Sequence, residues 1–105
     1  MNLKSIKEAY KCLLIDESSF RMQCRAFLLS KLKDTSEDKP FECNIRIELA
    51  DPMTCRVIDT AVIIGMWQED EDIYFVEEGE DWLCPHSMDY YRNAELLQIV
   101  EQLNQ

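Results

Sequence analysis

Cys84-Pro85-His86 sets a thiol two residues from the chain's one histidine. In an extended segment, residues two apart point the same way, so sulfur and imidazole could meet as nucleophile and base. A thiolate needs positive charge or a helix N-terminus beside it, and this stretch is strongly acidic. No third orienting group or oxyanion-binding motif accompanies the pair. The five cysteines (12, 24, 43, 55 and 84) are odd in number and widely spaced, with no C-x-x-C. Structural zinc wants closer Cys/His pairs than these. Glu69-Asp70-Glu71-Asp72 offers the hard oxygen ligands calcium prefers, but lacks the glycine and terminal glutamate of an EF-hand loop. Carboxylate pairs for glycoside hydrolysis need a cleft that holds one of them protonated. Here the acids fall in short turns. No glycine-rich loop cradles a phosphate. The sequence therefore predicts no enzyme, no cofactor and no metal site.

Charge distribution is the stronger signal. Residues 57–91 hold ten Asp and Glu and no Lys or Arg, which accounts for the whole net charge of −10. Such a field rejects nucleic acid and anionic membrane and favours a basic partner. The acids cluster at Glu69, Asp70, Glu71 and Asp72, and again at Glu77, Glu78, Glu80 and Asp81. A short strand between them sets the clusters about 15 Å apart. Spaced anionic groups of this kind resemble phosphates flanking a groove about 12 Å wide. Trp67 and Trp82 each border an acidic cluster, and an aromatic anchor with an acid rim suits a protein interface. The bland alternative is a solvated surface that keeps a small protein soluble and its sheet edges unpaired.

The elements that must position these residues read as follows. Residues 3–15 predict a helix with Leu3, Ile6, Tyr10, Leu13 and Leu14 on one face. A second helix spans 19–33, apolar over a wider arc through Phe20, Met22, Cys24, Phe27, Leu28, Leu29 and Leu32. Residues 41–49 alternate strictly, with Phe41, Cys43, Ile45, Ile47 and Leu49 apolar, which predicts a half-buried strand. Residues 55–67 are β-branched and apolar on both faces, the pattern of a central strand, with Gly65 marking a bulge. A strand follows at 73–76 and a short fourth at 82–84. The last helix, 93–104, buries Leu96, Leu97, Ile99, Val100 and Leu103, with Glu95 and Gln98 on its polar side.

The order is α-α-β-β-β-(β)-α: an α+β fold with two N-terminal helices, an antiparallel meander of three to four strands and a C-terminal helix. At 105 residues and 47% hydrophobic content the chain reads as one folded domain over 1–105. Nothing resembles a signal or a membrane span, so a cytoplasmic protein is expected. The resulting expectation is a small acidic interaction or regulatory protein that binds a basic partner, in its sharpest form a nucleic-acid mimic. The alternative is an assembly subunit that forms a homodimer through the second helix. Under the first reading the partner-binding residues are Trp67, Glu69, Asp70, Glu71, Asp72, Glu77, Glu78, Glu80, Asp81 and Trp82.

Overall fold

Strand patterning fixes the centre of the molecule. The structure, a computed structural model, describes residues 17–51, 53–54 and 56–104. The helix predicted over 3–15, and Cys12 and Cys55, lie outside the described residues. The elements run α1 (Glu17–Lys31), β1 (Phe41–Ala50), β2 (Val57–Glu69), β3 (Asp72–Glu77), β4 (His86–Ser87), a single 3-10 turn (Met88–Tyr90) and α2 (Asn93–Leu103). The strands form one antiparallel sheet in the order β1-β2-β3-β4. The doubly apolar β2 lies between β1 and β3, where its Ile63–Trp67 segment is buried on both faces.

Ile45 and Ile47 of β1, Ile63 and Met66 of β2, and Ile73 and Phe75 of β3 share one core cluster with Phe20, Cys24 and Leu28 of α1 and Leu96, Ile99 and Val100 of α2. Both helices therefore cover the same sheet face. Each large aliphatic side chain removed from water in this way is worth about 1.5–3 kcal/mol. In α1 the buried residues recur every fourth position, and Leu32 continues that row just past the helix end. The row lies along one face at 3.6 residues per turn. Phe27 and Leu29 flank it half-buried, and Met22 alone of the predicted apolar set is strongly exposed, at 69%. The helix is therefore less apolar on its outer side than its composition suggested. Arg21 ties α1 to the start of α2 through Nη1 to Asn93 Oδ1 (2.8 Å) and Nη2 to the Met88 carbonyl (3.0 Å).

Three local expectations need correction. The predicted strand at 82–84 is a turn. The Asp81 carboxylate accepts the Leu83 N–H at 2.9 Å and the Asp81 carbonyl accepts the Cys84 N–H at 3.0 Å. Those donors are thus taken locally, which is how aspartate competes with strand pairing. The fourth strand forms after Pro85 instead, where His86 and Ser87 pair with Phe75 and Tyr74. Glu95, placed by periodicity on the polar side of the last helix, is only 7% exposed. As third residue of α2, its carboxylate turns back to accept the Arg92 N–H at 3.4 Å, an N-terminal cap. Cys43, expected in the core, is half-buried near the end of β1, whereas Cys24 is fully buried; both carry free thiols.

Among the described residues, no helix is long and apolar enough to cross a membrane.

A candidate partner-binding face

Alternation along β2 breaks at one point. Ile63 pairs with Glu77 and Gly65 with Val76, so β2 advances two residues while β3 advances one, an irregularity of the bulge type. Ile63 and Met66 both face the helices, and Trp67 therefore faces away from them. Trp67 pairs with Tyr74 and stacks on it, with ring centroids 6.0 Å apart at 29°. Trp82 stacks on the same indole at 6.4 Å and 16°. Three rings thus form a row on the sheet's second face, with Trp67 in the middle.

Gly65 makes the row possible. A β-carbon at this position would sit 2.4 Å from Trp82 Cη2, inside any real contact. The six-membered ring of Trp82 rests directly on the bare backbone of β2. Trp67 is 2% exposed and cannot anchor a partner itself, whereas Trp82 is 38% and Leu83 78% exposed. The two tryptophans that sequence reasoning treated alike divide into a support and a contact. The Trp67 indole N–H is buried with no hydrogen-bond partner among the described residues, where this row is held by ring contact rather than polar anchoring.

The acids lie in the turns at both ends of β3. Glu69 and Asp72 close the β2–β3 hairpin as a pair, and Asp70 and Glu71 form its two-residue loop with φ of +52° and +69°. Both signs match a type I′ turn, which suits the sheet's twist. At the far end of β3, Gly79 takes φ of +87° and lets the chain reverse through Glu78, Glu80 and Asp81. Six residues of β3 separate the two turns by about 17 Å.

Exposure differs among these acids. Glu69, Asp70, Glu71, Asp72, Glu78, Glu80 and Asp81 are exposed. Glu77 is half-buried and points to the helix side, where its Oε2 accepts the Tyr91 hydroxyl at 2.7 Å. Burial first, then this hydrogen bond to a carboxylate, pushes the Tyr91 hydroxyl far above its ordinary value, so Tyr91 stays a donor. Arg25 lies 3.4 Å from Asp72 and also donates to the Glu71 carbonyl at 3.0 Å. Glu80 is paired with His86 at 2.7 Å. Among the described residues, no cation comes within ion-pair distance of Glu69, Asp70, Glu71, Glu78 or Asp81. Their charge is directed at solvent.

Leu83 was not singled out by sequence reasoning, and the position of Tyr74 opposite Trp67 was not drawn from it. Tyr74 was within reach: once the hairpin loop is fixed at Asp70 and Glu71, counting back places Tyr74 opposite Trp67. Leu83 carried no signal, because its exposure follows from the turn that Asp81 organises. The thiol–imidazole pairing is not assembled. Cys84 is exposed, while His86 Nε2 engages Glu80 and its ring stacks on Tyr90 at 3.8 Å.

The chain matches no protein-family model, no curated protein and no solved structure.

Proposed function

We propose that the protein is a small binding protein, not an enzyme, that docks a basic protein partner against the Trp82 end of the sheet's second face. The observation that carries this reading is an exposed tryptophan and leucine beside carboxylates that no cation among the described residues neutralises. An apolar anchor supplies affinity through desolvation, and unpaired acids around it attract and orient a cationic partner. A guanidinium or ammonium group suits both elements at once, since it stacks on an indole face and pairs with a carboxylate.

Imitation of nucleic acid is the sharper version. The two acidic turns lie about 17 Å apart along β3, wider than a single groove of about 12 Å. That spacing supports a basic protein surface in general better than a close copy of one phosphate pair. Self-association through the helix has less support, because the Phe20–Cys24–Leu28 row is consumed by the protein's own core.

The test is capture of partners from the native cell at about 50 mM and 300 mM salt, with the wild-type chain and two variants. Glu78→Gln with Asp81→Asn removes charge beside Trp82, and Trp82→Ala removes the anchor. The reading expects one set of basic proteins held at low salt, reduced at high salt, and lost in both variants. Retention of the same proteins by both variants, with no salt dependence, would reduce the acidic face to a solubilising surface.

A further inference from the structure

A second grouping lies around the sheet edge from Trp82. Glu77 ends β3, Glu80 sits in the following loop and His86 opens β4. One ligand-type atom from each lies within 4.8 Å of the other two. We propose that Glu77, Glu80 and His86 bind a divalent first-row transition cation, with Zn²⁺ as its type.

The donor set argues for that class. Calcium and magnesium take oxygen ligands, and calcium takes many of them. An imidazole nitrogen with two carboxylates suits zinc and its neighbours. The His86 ring is clamped by Tyr90, stacked at 3.8 Å and 11°, and by the edge of Tyr91 at 6.4 Å and 84°. This holds Nε2 toward Glu80, 2.9 and 2.7 Å from its two oxygens. With Glu77, these groups put three ligand-type atoms within 4.8 Å of one another.

Glu77 is held from behind. Its Oε2 takes the hydroxyl of Tyr91, a side chain 1% exposed, while no other hydrogen bond engages its second oxygen among the described residues. A buried hydroxyl bonded to a ligand carboxylate is the outer support that orients metal ligands. Electrostatics act in the same direction. The two carboxylates repel each other with Glu78 and Asp81 close in sequence and no Lys or Arg anywhere in 57–91. A dication relieves that repulsion. Three protein donors leave room for water in the remaining positions.

The experiment is calorimetric titration of the full chain with ZnCl₂, after chelator treatment and with a phosphine reductant present. Proton NMR of the single histidine follows in parallel, since its imidazole signals need no assignment. The proposal expects one Zn²⁺ per chain and a shift of both His86 ring signals that Ca²⁺ does not reproduce. His86→Ala and Glu77→Gln should each weaken binding at least tenfold, and Cys84→Ser should leave it within twofold. Circular dichroism checks that each variant remains folded. Absence of Zn²⁺ binding overturns the proposal. So does binding that survives His86→Ala, binding lost with Cys84→Ser, or equal competition by Ca²⁺, which marks loose attraction to surface acids. Each outcome is independent of whether a basic partner docks at Trp82.

Discussion

The side-chain amide of Gln98 completes the backbone of Glu48. The Glu48 N–H donates to Gln98 Oε1 at 2.8 Å, and Gln98 Nε2 donates to the Glu48 carbonyl at 3.1 Å. Gln102 Nε2 extends the pattern to the Arg46 carbonyl at 2.8 Å. β1 is an edge strand, and α2 thus supplies two amides where a further strand would otherwise pair.

Gln98→Ala should lower stability by about 1 kcal/mol, since the freed groups regain water at the surface. The more telling readout is association. Gln98→Ala with Gln102→Ala should raise the rate of heat-induced aggregation beyond what the lower stability accounts for. Light scattering at matched fractions unfolded measures this. Equal rates would mean that the edge is harmless when uncovered.

Gly65→Ala should displace Trp82 rather than break β2. The clash is with the far end of a side chain on an exposed turn, so the ring moves before the strand does. A stability loss of about 1 kcal/mol is expected, at the low end for overpacking. Trp82 should become more exposed, seen as a red shift in emission with Trp67 replaced by Phe as background. An unshifted spectrum would show that the ring has no alternative position.

Glu71→Gly should stabilise the protein. Glu71 has φ of +69°, a left-handed conformation that costs a non-glycine residue about 1 kcal/mol. The change produces Asp-Gly, a favoured type I′ pair, and removes one charge from a crowded turn. The Arg25 bond survives, because it goes to the residue 71 carbonyl. Greater entropy of glycine in the unfolded chain offsets part of the gain, leaving about 0.5 kcal/mol. Urea midpoints decide the sign.

Thiol reactivity should follow burial. Burial pushes the Cys24 thiol up to about 11, against a smaller opposing pull from Arg21, and burial pushes Cys43 up to about 11 as well. Among Cys24, Cys43 and Cys84, peptide mapping after brief alkylation should find Cys84 modified first and Cys24 last. The same shifts make the fold alkali-sensitive. A thiol whose native value is raised binds its proton more tightly when folded. Its contribution is complete below about 9, the unfolded value, and is lost as pH climbs toward 11. Urea midpoints should fall over that window, and fall less in Cys24→Ala with Cys43→Ala.

The two tryptophans should separate cleanly. Trp67→Ala should cost about 3–5 kcal/mol through a buried cavity, while Trp82→Ala should cost far less. Thermal unfolding measures both. Comparable losses would contradict the division into buried support and exposed contact.

The sequence by itself determined the first three strands of the sheet. Strict alternation in residues 41–49 and the two-sided apolar run through residue 64 left β2 one place to go, between its neighbours, because period and burial are local properties of a strand. It also determined the concentration of acids, since charge needs no fold to be counted. The tertiary structure decided which residues those acids surround. An irregularity beside Gly65 sets the facing of Trp67, and the bare backbone there admits Trp82, so one tryptophan is buried and the other exposed. Glu95 turned inward because a helix start needs an acceptor, and residues 82–84 became a turn because Asp81 takes their donors. The joining of Glu77 and Glu80 with His86 was equally invisible. It depends on β4 pairing with β3, and a two-residue strand is specified by the neighbour it joins rather than by a pattern of its own.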